Sequence, residues 1–287
     1  MFYMLRALNL EWSAAWYYGP VIFPIDASLD EHARHNTAYA GVARQRYWRG
    51  NPRLPYRLSA DFVYESFKDG TRSVAYPAVR ISARSGYRMP SRYDGVIPRR
   101  QLFLDAQWLQ SLDDGYDFHV WQGALQAGSY LFSEKAGIKA RLNYSKIAGH
   151  APTTALTGLD RFYTYAMPRD FGYTHSVRGL YMDVPAREMA WASLEWRYLL
   201  ATSTGMKLLF IPMDNMAVTV FADGARLNNK ENYYSWGVET GFGANGLRLN
   251  AGYARAWQPA TAPIASLYLR LSLELDNIVT LREKWPR

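Results

Sequence analysis

The chain has 287 residues, a formal net charge of +8 and no cysteine. The length suits one large barrel or two small domains, and the lack of cysteine excludes disulfides, thiolate metal sites and cysteine nucleophiles. A transmembrane helix needs about 18 consecutive apolar residues. No window approaches this, since the best candidate, 208–221, is interrupted by Pro212, Asp214 and Asn215.

The predicted elements are β-strands in which apolar and polar side chains alternate with period two. The clearest example is the last one, where Leu267, Leu269, Leu271, Leu273 and Leu275 alternate with Ser, Tyr, Arg and Glu. A tilted strand that crosses a bilayer has about this length, and a transmembrane barrel turns such an apolar face to lipid and the polar face to a wet lumen. We predict about twelve strands, at 4–18, 36–49, 57–67, 73–85, 101–111, 117–133, 136–148, 188–201, 216–227, 235–244, 247–257 and 265–275.

The number of alternating segments separates a membrane barrel from a soluble β-sandwich. A sandwich also alternates, but with shorter strands. Aromatic residues make up 15% of the chain, with 22 tyrosines and 10 tryptophans, as expected of the aromatic girdles of a membrane barrel. We therefore predict an all-β fold, a transmembrane antiparallel up-and-down β-barrel, as a single domain over 1–287.

Turn signals and barrel closure give two further expectations. Hairpin turns are predicted at 68–71, at 113–115 and, most strongly, at Asn245-Gly246. If about twelve strands formed the whole barrel, the strand near Leu5–Trp16 would have to pair with Ser266–Leu275, because an open edge cannot face lipid.

The longest connection, about 149–187, is too long for an idle hairpin loop. Its many aromatic residues argue against disorder, so we expect it to fold into the barrel and plug the lumen. The first residues show no signal peptide, although a barrel needs one to reach the outer membrane. The sequence is therefore expected to be the C-terminal part of a longer or processed product.

An ordered set of motifs lies in the second half of the chain. The long loop contains Val177-Arg178-Gly179-Leu180, and the strand at 192–197 that follows carries Glu195. Next come Val220-Phe221-Ala222-Asp223-Gly224, a glycine-rich strand at 236–243 and two last strands. Over roughly residues 130–275, this order resembles the C-terminal half of the barrel in the BamA and two-partner-secretion transporter superfamily.

In that family the sixth outer loop folds back into the lumen, and its tip carries Val-Arg-Gly followed by Phe or Tyr. The arginine meets a glutamate and an aspartate on the next two strands. The resemblance therefore implies a loop lock in which Arg178 pairs with Glu195 and Asp223 and packs on Phe221, within the set Val177, Arg178, Gly179, Glu195, Phe221, Asp223 and Gly224. The chain departs from the pattern in having Leu180 where the family prefers an aromatic residue, and in its strand count. Family barrels have sixteen strands, so the resemblance leaves open that the roughly twelve strands predicted here are part of a sixteen-stranded barrel.

The resemblance implies insertion, assembly or secretion of proteins at the outer membrane of a Gram-negative bacterium. Two alternatives remain open, namely a barrel that anchors or exports a partner domain and a passive solute pore. The expected partners are the lipid bilayer with its lipopolysaccharide and a partner or substrate polypeptide. Basic residues are dispersed through the strands rather than clustered, so nucleic acid is not expected.

No enzymatic motif is recognisable. The five histidines form no His-Glu-x-x-His motif, and the chain has no Gly-x-Ser-x-Gly elbow. Glu31, His32 and His35 could bind a metal, but such a group is more often part of a solvated loop. We therefore predict no catalytic residues, no metal site and no cofactor.

Overall fold

The computed structural model describes residues 2–5, 10–20, 34–48, 54–69, 72–89, 99–152, 155–159, 176–180, 184–202, 204–205, 207–208, 211–212, 215–244 and 247–273. Thirteen strands form one sheet, in which each strand pairs antiparallel with the next sheet strand along the chain. They are β1 (Phe2–Leu5), β2 (Leu10–Pro20), β3 (Arg34–Tyr47), β4 (Pro55–Asp69), β5 (Arg72–Met89), β6 (Arg100–Ser111), β7 (Phe118–Leu131), β8 (Ser133–Gly149), β11 (Glu188–Thr202), β14 (Asn215–Leu227), β15 (Glu231–Ala244), β16 (Leu247–Trp257) and β17 (Ile264–Leu273). Two short antiparallel pairs lie in connections, β9 (Thr157–Leu159) with β10 (Val184–Ala186) and β12 (Lys207–Leu208) with β13 (Ile211–Pro212).

The two faces of the sheet have the predicted opposite character. In β11 the side chains of Ser193, Glu195 and Arg197 are buried, whereas Leu194 and Trp196 between them are 48% and 40% exposed. The last strand behaves in the same way, with Leu267 84% and Leu269 74% exposed while Tyr268 is 7% exposed. We call the side of Glu195 the inner face and the side of Leu194 the outer face. The apolar face is therefore outside, as a bilayer requires.

The strand count differs from the prediction at the start of the chain. The single strand predicted at 4–18 consists of β1 and β2, which pair with each other from Leu5↔Leu10 to Phe2↔Ser13. Residues 2–5 are all apolar, and 6–9 contain none of the dipeptides typical of a hairpin turn, so the sequence does not reveal this break. The sheet therefore has thirteen strands instead of about twelve.

The first and last strands do not pair in the way that closure by twelve strands would require. Within the described residues, β1 pairs with β2, β17 pairs with β16, and both are sheet edges. Because every neighbouring pair is antiparallel and the number of strands is odd, β1 and β17 run in the same direction. A direct contact between them could not continue the antiparallel pattern.

The turn signals lead to hairpins wherever the structure describes them. Asp113 accepts hydrogen bonds at its carboxylate from the backbone N–H groups of Gly115 (2.8 Å) and Tyr116 (3.0 Å). The predicted turn residues Gly70, Thr71, Asn245 and Gly246 lie outside the described residues, but the flanking pairs Asp69↔Arg72 and Ala244↔Leu247 are formed.

The described parts of the long loop pack on the inner face. Its first part, around Ala151 and Ala155, joins an apolar cluster with Tyr76, Leu109 and Phe118. Its later part contributes Leu159, Val177, Leu180 and Ala186 to a second cluster against β11, β14, β15 and β16. The loop aromatics between 160 and 175, as well as Glu31 and His32, lie outside the described residues. Within the described ranges, no helix is both long and apolar enough to span a bilayer.

A candidate arginine site on the inner face

The tip of the long loop, Val177–Leu180, is a tight turn pressed against the sheet. The Leu180 N–H donates to the Val177 carbonyl at 3.0 Å, and Gly179 has a φ of 88°. Val177 and Leu180 are buried in the apolar cluster, and the Trp191 indole N–H donates to the Ser176 carbonyl at 3.1 Å. These two apolar anchors leave the side chain between them, that of Arg178, pointing at the inner face.

Gly179 brings the loop tip close to the last two strands, β16 and β17. A Cβ at this position would lie 2.6 Å from the Ala254 Cβ and 2.9 Å from the Ser266 Oγ. The Ser266 hydroxyl donates to the Gly179 carbonyl at 3.2 Å. Both the left-handed backbone and the lack of space therefore require glycine here.

Arg178 and Asp223 form the central pair of the site. The Arg178 Nε and Nη2 groups each donate to a different carboxylate oxygen of Asp223, both at 2.7 Å, and the Arg178 backbone N–H donates to the same carboxylate at 3.1 Å. Arg178 is 5% and Asp223 4% exposed. A planar two-pronged contact of this kind is specific to arginine and is among the stronger ion pairs in proteins.

Two further carboxylates and a hydroxyl complete the surroundings of the guanidinium. Arg178 Nη1 lies 3.1 Å from Glu195 and 3.3 Å from Glu239, and Nη2 donates to the Ser193 hydroxyl at 3.1 Å. The strand register brings these groups together, because Ser193 pairs with Asp223 and Glu195 with Phe221. Ser193 and Glu195 of β11, Asp223 of β14 and Glu239 of β15 thus turn polar groups toward the loop tip.

Phe221 supports the guanidinium from one face. The Arg178 Cζ lies 3.6 Å from the centroid of the Phe221 ring, a cation–π contact at a buried position. The Phe221 ring fits here because the residue that pairs with Phe221 on β15 is Gly237. A Cβ at Gly237 would lie 2.8 Å from the Phe221 Cζ.

The charges of the site form a connected network. Glu195 also binds Arg141 at 2.8 Å and Arg197 at 2.6 Å, and the Tyr268 hydroxyl donates to Glu239 at 2.7 Å. Burial by itself lowers the pKa of Arg178, but its hydrogen bonds to Asp223 and the charges of Glu195, Asp223 and Glu239 outweigh this and raise it. Arg178 therefore stays charged and offsets the negative charge of the carboxylates around it.

The structure brings together six of the seven residues that the resemblance implied, and Gly224 is the exception. Gly224 follows Asp223 in β14 but faces outward, as the alternation of a strand requires. The resemblance did not include Glu239, although a signal was available. Glu239 lies on the polar face of the glycine-rich strand next to β14, where it pairs with Thr219.

The site is suited to holding a guanidinium by charge and shape. In the described part of the chain, no group of three or more His, Cys, Asp or Glu side chains is arranged to hold a metal ion. The arginine site joins a loop to four strands, with contacts to Ser193 and Glu195 in β11, Asp223 and Phe221 in β14, Glu239 in β15 and Ser266 in β17.

The sheet is similar to barrels of solved structures. The match to BamA from Haemophilus ducreyi lacking POTRA domains 1–3 has a TM-score of 0.60 at 12% identity and covers 93% of this chain and 62% of that one. CdiB from Escherichia coli matches with a TM-score of 0.60 at 10% identity, over 92% of this chain and 50% of that one. CdiB from Acinetobacter baumannii matches with a TM-score of 0.52 at 11% identity, over 92% of this chain and 47% of that one.

These matches establish the fold. No family model matches the sequence, and no curated protein matches it either. The chain spans between about half and three fifths of the length of the solved structures it resembles. Its fold is that of the BamA and two-partner-secretion transporter barrels.

Proposed function

We propose that the chain is an outer-membrane barrel of the BamA-like superfamily and acts in the insertion, assembly or secretion of proteins at the outer membrane of a Gram-negative bacterium. The observation that carries the proposal is the arginine site, in which Arg178 of the long loop meets Asp223, Glu195 and Glu239 on the inner face. This site lies in a sheet that has the fold of BamA and CdiB.

A fastened loop suits a polypeptide transporter better than a passive solute pore. The loop packs on the inner face through two apolar clusters as well as through the arginine site, so it occupies space that a simple pore would leave to water. The ion pairs of Arg178 would also form again, with their favourable free energy, whenever a displaced loop packed back on the inner face. We propose that the loop closes the lumen and that the partners are the bilayer, its lipopolysaccharide and a polypeptide substrate. This role needs neither a catalytic group nor a cofactor.

The proposal is tested by capture of a polypeptide inside the barrel. A photo-crosslinking amino acid replaces Gln122, which is half-buried on the inner face of β7, and a matched control replaces Trp121, which is 55% exposed on the outer face. In growing cells we expect Gln122 adducts to newly made polypeptide that disappear when protein synthesis stops. Trp121 adducts should be confined to lipid.

Two results would contradict the proposal. A single stable adduct at Gln122, unaffected by the arrest of synthesis, would indicate a barrel that anchors one partner. No adduct at Gln122, together with a high conductance of the purified protein in planar bilayers, would indicate a solute pore.

A further inference from the structure

An apolar groove crosses the outer face directly behind the arginine site. It has a volume of about 640 Å³ and is open along the surface of β6, β7, β8, β11 and β14. Its floor consists of small residues that face outward, namely Gly123, Ala190, Ala192 and Gly224. The exposed side chains of Leu142 and Tyr144 in β8 stand between Gly123 of β7 and the alanines of β11.

The register explains why a groove forms here. Ala192 of β11 pairs with Gly224 of β14, so two small residues of adjacent strands lie side by side, and Ala190 lies beside Arg226. Elsewhere the outer face carries large side chains such as Leu194, Trp196 and Trp236, which are 40% to 51% exposed. The groove therefore lies beside these larger apolar side chains.

Packing does not require glycine at either glycine position of the groove. A Cβ at Gly224 would have its nearest neighbour, the Tyr233 carbonyl oxygen, at 4.0 Å, and one at Gly123 would lie 3.9 Å from the Asp105 carbonyl oxygen. Gly237 and Gly179, by contrast, have neighbours that a Cβ would meet. Gly123 and Gly224 have space for a side chain but carry none, and this leaves the groove open.

The end of the groove nearest the long loop is basic. Arg226 lines it, Lys146 is exposed near the end of β8, and Arg187 is exposed just before β11. Arg187 also donates to the Gly149 carbonyl at 2.7 Å, and Arg226 to the Asn229 carbonyl at 2.8 Å. The nearby carboxylate is that of Glu188, which lies 3.9 Å from Lys146 and accepts a hydrogen bond from the Tyr144 hydroxyl at 2.9 Å. Among the described residues, three cations around the Glu188 carboxylate favour an anionic group at this end.

We propose that the outer groove binds one acyl chain of a phosphate-bearing membrane lipid, with the phosphate headgroup against Arg226, Lys146 and Arg187. The inference rests on the membrane placement proposed above. An apolar groove 640 Å³ in volume with a cationic end matches a hydrocarbon chain that ends in a phosphate. Because Ala192 and Gly224 are adjacent in sequence to Ser193 and Asp223, the lipid would lie on the opposite face of the strands that hold Arg178.

The experiment measures lipid retention by native mass spectrometry, with bisphosphorylated hexa-acyl lipid A added to the protein in detergent. We expect the wild type to retain one lipid A. Gly224→Leu fills the groove and should weaken retention about tenfold, the factor that ~1.4 kcal/mol of lost contact produces. Ala251→Leu is the control, because Ala251 is a small residue on the outer face that does not line the groove, and this variant should retain lipid A as the wild type does.

The headgroup contact is tested separately. Arg226→Gln combined with Lys146→Gln should weaken retention of lipid A but not of its dephosphorylated form. Lys135→Gln, an exposed cation at the opposite end of β8, should change neither. Inorganic phosphate alone should not compete, because the acyl chain supplies most of the contact.

The outcomes separate this inference from the proposed function. Failure of the wild type to insert into liposomes would overturn the membrane placement and the lipid site together. Normal insertion with unchanged lipid A retention in Gly224→Leu would overturn the lipid site alone. A change of oligomeric mass in Gly224→Leu, without loss of lipid, would make the groove an interface between copies and would also overturn it.

Discussion

The guanidinium of Arg178 donates two parallel hydrogen bonds, each 2.7 Å long, to the two carboxylate oxygens of Asp223. Both residues are nearly fully buried. Arg178 belongs to the long loop and Asp223 to β14, so this single contact ties the loop to the barrel wall. Breaking one partner of such a pair leaves an uncompensated buried charge, which costs about 3–5 kcal/mol.

Removal of the guanidinium should loosen the loop without unfolding the barrel. We expect Arg178→Ala to speed trypsin cleavage within 149–187 and to lower the temperature at which the barrel unfolds on a gel. Arg178→Lys should recover only part of the loss, because an ammonium group cannot form the two-pronged contact or lie flat on Phe221. Equal cleavage of the wild type and Arg178→Ala would show that the apolar clusters alone hold the loop.

Gly179 and Gly205 provide a test variant and a matched control for the close packing of the loop tip against the sheet. Both have positive φ, 88° and 68°, but a Cβ would meet Ala254 and Ser266 at Gly179 and nothing within 4 Å at Gly205. Gly179→Ala should therefore displace the tip and increase cleavage of the loop. Gly205→Ala should cost only the backbone strain, roughly 1–2 kcal/mol, and leave cleavage unchanged. Equal effects of the two changes on cleavage would contradict the close packing of the tip.

The two glutamates of the site should differ in their contribution. Glu195 binds Arg141 and Arg197 in addition to Arg178, whereas Arg178 keeps Asp223 when Glu239 is neutralised. Glu195→Gln should lower the free energy of unfolding by about 3–5 kcal/mol and Glu239→Gln by about 1 kcal/mol. Urea unfolding in detergent measures both, and the reverse order would contradict the proposed network.

The assignment of the two faces is tested by labelling single cysteines in intact membranes. Leu104→Cys lies on the outer face, where the leucine is 52% exposed, and Gln122→Cys lies half-buried on the inner face. A membrane-impermeant maleimide should label Gln122→Cys but not Leu104→Cys, while a lipid-soluble reagent should label Leu104→Cys. Equal aqueous labelling of both would refute the assignment of the outer face to lipid.

The sequence predicts most of the sheet because the pattern that it carries is a local one. Leu267 and Leu269 alternate with Tyr268 in the sequence, and the same alternation appears as exposure and burial in the structure. The break between β1 and β2, and the fact that the edge strands do not pair within the described residues, were not predictable in this way. Alternation fixes which face a side chain takes, but it does not fix how many strands there are or which edges meet.

The prediction of the candidate site depended more on the family resemblance than on the alternation of polar and apolar residues. Val-Arg-Gly is uninformative on its own, and it gains meaning only from the order of the strands that follow. Alternation then places Asp223 inside and Gly224 outside, so the outward position of Gly224 could have been deduced. Alternation also places Glu239 on the inner face, but its contact with Arg178 could not be deduced, because that contact depends on where the loop tip lies across three strands.

The central claim is that Arg178 and Asp223 hold the loop inside the barrel, and charge exchange between them tests it most directly. Arg178→Glu brings a fourth carboxylate to the site and should increase trypsin cleavage within 149–187 and lower the unfolding temperature more than Arg178→Ala does. Combining it with Asp223→Arg restores opposite charges at the two positions and should recover part of both losses, although Glu195 and Glu239 would still repel Glu at 178. Partial recovery in the double variant is the result that we predict. A double variant that is as damaged as the sum of its two single changes would contradict the pairing, and with it the proposed role of the loop.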